Sequence, residues 1–142
     1  TDVGMEHNIH PTKKAPVGAR LALSARKIAY DQDIVYSGPI FKKMKIKGDK
    51  AILSFDHVDG GLEAREGALK GFSICGKDKK FVWASAEIQG DKIVVSSSQV
   101  EKPIAVRFGW ADYPVVNLWN KAGLPASPFR TDNFPMITAP KE

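Results

Sequence analysis

The sequence predicts a mainly β protein, an antiparallel β-sandwich preceded by one α-helix. Three observations predict it. Short apolar runs separated by Gly and Asp turns fill residues 34–118, which suits a sandwich better than alternating strands and helices. Within them Ile104, Val106, Phe108 and Trp110 alternate with Ala105, Arg107 and Gly109, as in a half-buried strand at the centre of a sheet. From Lys13 or Pro16 to about Tyr30 the apolar residues instead recur at helical spacing. The change of character after Asp33 divides the chain into 1–32 and 33–142.

Size and composition fit this reading. The chain has 142 residues, 43% hydrophobic and 26% charged, enough for one domain with a real core and unlike a disordered segment. No apolar run approaches the ~20 residues of a membrane span, so no membrane partner is expected. Thr1-Asp2-Val3-Gly4 has neither an initiator Met nor a signal-peptide pattern. A piece of a longer protein is therefore expected.

The first element is a loop, Asn8-Ile9-His10-Pro11-Thr12. It places an imidazole at the mouth of the helix, and histidine is the side chain most readily used as a base near neutral pH. Residue type alone favours a surface histidine beside an N-cap. The helix follows, with Pro16 suited to a first turn. Val17, Leu21, Ser24 and Ile28 form its stripe, Arg20, Arg26 and Lys27 lie towards the other side, and Asp31-Gln32-Asp33 ends it.

The strands come next. Ile34-Val35-Tyr36 is expected to be a short one, closed by Ser37-Gly38-Pro39, and Ile40 to Lys47 a second. Gly48-Asp49 and Gly90-Asp91 stand between apolar runs in the same pattern and predict two tight hairpins. Ala51 to Phe55 runs into Asp56-His57-Val58-Asp59-Gly60-Gly61, where His57 is expected to pin a loop. Leu69 to Cys75, Lys80 to Ile88 and Lys92 to Ser96 complete the regular part. From Tyr113 onward Pro114, Pro125, Pro128, Pro135 and Pro140 forbid a long element. Trp119, Phe129 and Phe134 predict that this tail is docked, at least to about Asp132.

Charge and thiol content narrow the function classes. The net charge is +5, densest at Lys42, Lys43, Lys45, Lys47 and Lys50. No aromatic residues are interleaved there for base stacking, so a solvated strand face is expected rather than a nucleic-acid partner. Cys75, the only cysteine, reads as a core residue. His7 and His10 are three apart, with no thiolate or third ligand placed beside them. Neither a metal nor a cofactor is expected. Trp110, Tyr113 and Trp119 are candidates for a sugar-stacking platform, with packing as the plainer role.

Several words in order carry a resemblance. They are Asn8-Ile9-His10-Pro11-Thr12-Lys13-Lys14, Val17-Gly18-Ala19-Arg20-Leu21-Ala22-Leu23, Val35-Tyr36-Ser37-Gly38-Pro39 and Ser54-Phe55-Asp56-His57-Val58. Trp110-Ala111-Asp112 follows, running on to Gly123-Leu124-Pro125-Ala126-Ser127-Pro128-Phe129-Arg130-Thr131-Asp132. Together they resemble the C-terminal part of sialate O-acetylesterases and related carbohydrate esterases of the SGNH-hydrolase type. The resemblance implies that residues 1–32 are the end of an SGNH α/β hydrolase domain and 33–142 an accessory β-sandwich. It implies a carboxylic ester hydrolase acting on an O-acetylated, sialic acid-like carbohydrate, with His10 as catalytic base. It also leans towards a secreted, periplasmic or lysosomal protein.

Two departures qualify what is carried over. The common SGNH pattern has Asp three residues before the His, where this chain has His7. Asp2 matches an acidic position in such relatives and is the first choice for the triad acid, with Glu6 second. The family's nucleophile lies in an N-terminal Gly-Asp/Gln-Ser word that does not occur here. This chain alone is therefore expected to be inactive, its partner being the N-terminal SGNH portion of the same protein. The alternative is a non-catalytic module that binds carbohydrate or braces a neighbouring domain.

Overall fold

A computed structural model describes residues 2–136 and residue 138. One helix, α1 (Ala15–Ile28), precedes ten strands: β1 (Ile40–Lys47), β2 (Lys50–Asp56), β3 (Leu62–Ala64), β4 (Phe72–Cys75), β5 (Val82–Trp83), β6 (Ser85–Gln89), β7 (Lys92–Ser96), β8 (Ala105–Phe108), β9 (Leu118–Asn120) and β10 (Phe129–Arg130). Two antiparallel four-stranded sheets, in the orders β1-β2-β7-β6 and β10-β8-β4-β5, form the body, and β3-β9 makes a small third sheet. The mainly β, sandwich-like fold with a leading helix is thus the one the sequence predicts.

Local chemistry explains the two hairpins. Lys47 pairs with Lys50 and Gln89 with Lys92, so each loop has two residues. Gly48 and Gly90 take φ of 61° and 63°, the left-handed geometry that a tight hairpin asks of its first loop residue. Strand alternation then sorts side chains. In β2, Ala51, Leu53 and Phe55 are buried while Ile52 and Ser54 look outward. In β7, Ile93 and Val95 are buried while Lys92 and Val94 look outward.

The inner faces of the two body sheets share one core. Leu53, Ile93 and Val95 from one meet Phe72, Ile74, Val106 and Phe108 from the other. Phe129 joins them. Its ring stacks on Phe41 at 4.7 Å and lies 5.7 Å from both Phe55 and Phe108. Apolar burial drives this closure, and the aromatic geometry adds to it.

The fully buried Asn120 ties three loops to this body. Its Nδ2 donates to the Ser37 and His57 carbonyls at 3.0 Å, and its Oδ1 accepts from the Leu124 N–H at 3.0 Å. Asn117 does the same for another loop, accepting from the Lys70 N–H and donating to the Arg65 and Ala68 carbonyls. Buried amides with every group satisfied are stabilising rather than costly.

Three expectations need correction. Residues 34–36 form no strand. The segment is drawn into irregular chain because Gly38 packs directly against the Pro125 carbonyl, where a Cβ would overlap, and Pro39 O accepts from Ser127 N–H. The run from Lys80 to Ile88 is split at Ala84, with β5 in one sheet and β6 in the other. Ile104 and Trp110 lie beyond the ends of β8 and are 39% and 45% exposed, while Ala105 on the opposite face is buried. His57 does pin its loop, through its backbone carbonyl, with its ring edge-on to Tyr36 at 5.2 Å.

Candidate active site

The N-terminal loop is a chain of small turns. Met5 and Asn8 form an isolated bridge, and the Asn8 Oδ1 accepts from the His10 backbone N–H at 2.8 Å, an Asx turn. This leaves the His10 side chain exposed just before the half-buried Pro11. Glu6 lies beside His7, with 3.8 Å between Oε2 and Nε2.

Asp2 is held elsewhere. Arg20 of α1 donates to both of its carboxylate oxygens at 2.7 Å. Those hydrogen bonds hold the Asp2 carboxyl below the usual carboxylate range, against an opposing contribution from burial. Among the described residues no hydrogen bond or ion pair joins His10 to Asp2 or Glu6. The structure therefore brings Asp2 to Arg20 and leaves His10 facing solvent.

Arg20 does not lie on the far side of α1, as its spacing from the apolar stripe suggests. Pro16, Arg20, Leu23, Ser24 and Lys27 are the half-buried positions of the helix, a stripe at i, i+4, i+7, i+8 and i+11. Its guanidinium carbon is 5.5 Å from the centre of the Trp119 ring, and that of Arg65 is 3.8 Å from the same ring. A cation–π stack thus runs from the N-terminal loop through α1 into β9. The other stripe stays open, with Val17, Leu21 and Ile28 exposed by 41%, 66% and 75%. Beside it a shallow cavity of about 370 Å³ separates α1 from the sandwich, lined by Asp2, Leu21, Tyr36, Pro125 and Ser127 among others. Sequence reasoning missed Arg20 and Arg65 as site residues, although Arg20 lies inside one of the words that carry the resemblance.

Of the three platform candidates, Trp119 has its ring beside two guanidiniums, whereas Trp110 and Tyr113 are 45% and 46% exposed. Trp110 edges a cleft of about 610 Å³ with Arg107, Arg130, Pro128 and Met136. Behind it Arg107 grips Asp132 through two hydrogen bonds of 2.8 and 2.9 Å. They keep the Asp132 carboxyl below the usual carboxylate range. Burial and the nearby Asp132 push the Cys75 thiol up, so this side chain is an inert core group, as its sequence setting suggests. No group of three or more His, Cys, Asp or Glu able to hold a metal occurs among the described residues. Nor is any helix among them long and apolar enough to cross a membrane.

No family model matches the chain. Its curated relatives include the sialate O-acetylesterases of Homo sapiens and Pongo abelii, each 27% identical over 134 residues. These alignments cover 86% of this chain but 25% of the relative. The sialate O-acetylesterase of Mus musculus is 27% identical over 113 residues, or 75% of this chain and 21% of the relative. Among solved structures, a carbohydrate acetylesterase from Xanthomonas citri matches with a TM-score of 0.90 and 48% identity, covering 94% of this chain and 31% of that one. The chain thus spans about a quarter of the length of the curated relatives it matches. Sequence and fold together support its likeness to the C-terminal part of a sialate O-acetylesterase-like carbohydrate esterase.

Proposed function

We propose that this chain is part of a carbohydrate O-acetylesterase whose remaining portion is an N-terminal SGNH hydrolase domain. The observation that carries the proposal is 48% identity at a TM-score of 0.90, over 94% of the chain, to a carbohydrate acetylesterase. The substrate class is an O-acetylated carbohydrate of the sialic acid type, after the relatives named sialate O-acetylesterase. Residues 1–32 complete the hydrolase domain, and 33–142 form its accessory β-domain. A secreted, periplasmic or lysosomal setting goes with this reading.

The chemistry is acyl transfer to water. A serine of the N-terminal portion attacks the acetyl carbonyl, and His10 takes its proton as general base. The protonated His10 then gives that proton to the departing sugar oxygen. Water, deprotonated by His10, next cleaves the acetyl-enzyme to acetate, and His10 returns that proton to the departing serine oxygen. Backbone amides and an Asn or Gly hold the oxyanion in both steps. Asp2 is the first choice for the carboxylate that orients His10 and stabilises its cation, with Glu6 the second. The bidentate grip of Arg20 keeps Asp2 ionised, which that role needs. It also occupies the carboxylate, so Asp2 serves His10 only by accepting a further hydrogen bond. The exposed His10 and the open stripe of α1 fit a surface that the N-terminal portion covers.

The test is hydrolysis of p-nitrophenyl acetate and of an O-acetylated sialic acid, by this chain alone and by the whole protein. The chain alone is expected to be inactive. In the whole protein His10→Ala should lower kcat by roughly 10²–10⁴-fold. Asp2→Asn should do so to a lesser extent, and an unchanged rate in Asp2→Asn would move the acid role to Glu6. Survival of full activity in His10→Ala would remove the base assignment.

The exposure of Trp110 beside Arg107 and Arg130 favours a second reading, a non-catalytic carbohydrate-binding module. Under it Trp110→Ala weakens glycan binding, while His10→Ala changes neither binding nor turnover.

A further inference from the structure

The outer face of the β1-β2-β7-β6 sheet carries a cationic grid. Register places Lys43 beside Ser54, and Ser54 beside Lys92, in one row across the sheet. The next row is Lys45, Ile52, Val94 and Glu87, and Lys47 stands directly opposite Lys50 at the hairpin end. Alternation sends Lys43, Lys45, Lys47, Lys50 and Lys92 to the side away from the core. Residues of one strand on one face recur about every 6.7 Å, and strands lie about 4.8 Å apart. The five amines therefore cover an area about 13 Å long and 10 Å wide.

These charges are not balanced within the fold. Lys42 pairs with Asp56 at 2.7 Å, but none of the five forms a salt bridge among the described residues. Glu87 stands on the far edge strand. Asp91 is the acidic residue in the shallow trough that Lys43, Lys45 and Lys92 line. Like charges directly opposite, as at Lys47 and Lys50, destabilise a strand pair. An edge strand needs some lysine to discourage pairing with other chains, but Lys50 and Lys92 lie on interior strands.

We propose that this face binds an extended acidic polysaccharide, one bearing uronate carboxylates along its length. Charge complementarity selects a polyanion. The surface itself selects among polyanions. It is shallow, with half-buried Ile52 and Val94 as an apolar floor between the lysines, which suits the C–H faces of pyranose rings. Among the described residues its outward positions carry no aromatic side chain on which bases could stack, the ring of nearby Phe55 being buried. Its outward apolar side chains, Ile52 and Val94, are half-buried and do not protrude into a bilayer. The choice of a sugar polymer rests on the carbohydrate-esterase reading, whereas the cationic grid does not. Such a face would hold the polymer while acetyl groups are removed elsewhere on the protein.

The experiment titrates polygalacturonate into the chain at low and moderate salt, following binding by a fluorescent label on the polymer. Lys43→Glu/Lys45→Glu/Lys47→Glu should weaken binding at least tenfold. Lys77→Glu/Lys102→Glu/Lys121→Glu, with the same change in net charge, should weaken it less than threefold. Melting temperatures report that both variants fold, and Lys43→Gln/Lys45→Gln/Lys47→Gln repeats the test without charge reversal. Affinity should fall with salt, and a neutral xylan should not bind. Equal losses in the two Glu variants, absence of binding, or equal affinity for a single-stranded oligonucleotide or an anionic phosphatidylserine vesicle would each overturn the proposal. Turnover of p-nitrophenyl acetate by the whole protein is read separately. Polymer binding without turnover would defeat the esterase reading alone, and turnover without polymer binding would defeat this inference alone.

Discussion

The sandwich and α1 draw on the same kinds of apolar side chain but treat them differently. In the sandwich Leu53, Ile74, Ile93, Val106 and Phe108 are fully buried, whereas α1 buries no residue and leaves Leu21 and Ile28 exposed by 66% and 75%. The sheets close on each other and complete a core. The helix rests on the sandwich through Arg20 and Ser24, while Val17 and Leu21 reach only the shallow cavity between the two and Ile28 stays exposed. A helix of 14 residues is marginal in water without tertiary support. Its support here is the Asp2–Arg20 pair and the stack on Trp119. An apolar stripe therefore shows that a surface is meant to be covered, not that its own chain covers it.

The comparison can be broken at its strong end first. Phe129→Ala removes the ring that joins both sheets, and should cost about 3–5 kcal/mol, read by denaturant unfolding of the β signal. A loss below about 1 kcal/mol would mean that the sheets close without that ring. Asn120→Ala should come next, at about 1–3 kcal/mol, because it strands two carbonyls and an N–H inside the fold.

Acid should then separate the two regions. Asp2 and Asp132 both titrate below their ordinary 3.8 in the fold. A depressed carboxylate contributes stability that is present above its unfolded value and lost as pH falls through the folded one. Stability should therefore hold down to about pH 4 and fall below it. Asp132→Asn should flatten that fall for the sandwich, and Asp2→Asn only for the docking of α1. The smallest effect on the β signal belongs to Arg20→Ala. Sandwich stability should change by less than about 1 kcal/mol, while α1 amides exchange with solvent faster. Equal acceleration across the sandwich would show that the two regions form one cooperative unit.

Features with local causes could be read in the sequence. The Gly48-Asp49 and Gly90-Asp91 hairpins carry their own turn chemistry, and Cys75 sits in an apolar run. Features set by distant partners could not. Residues 34–36 have strand-like composition, yet their path is decided by Pro125, Ser127 and Asn120, more than eighty residues away. At Ala84, whose N–H makes the last bond of the β4–β5 ladder to the Phe72 carbonyl, the chain changes sheets, a switch that no local pattern announces. The site divides the same way. His10 stood out by its word, but the engagement of Asp2 with Arg20 depends on how α1 rolls onto the sandwich, and helical periodicity pointed to the opposite face.

Cys75 has a practical consequence. It is the only cysteine, it is fully buried on the face of β4 opposite Phe72 and Ile74, near Arg107 and Asp132, and burial pushes its thiol up. A maleimide or disulfide reagent can reach it only when the chain that covers this outer face, which includes Asp132, comes away. Labelling at this one sulfur therefore counts uncovering of that face of β4 and is blind to fraying of α1. The chain thus carries its own probe for the docking of its C-terminal segment onto the sandwich, with none introduced.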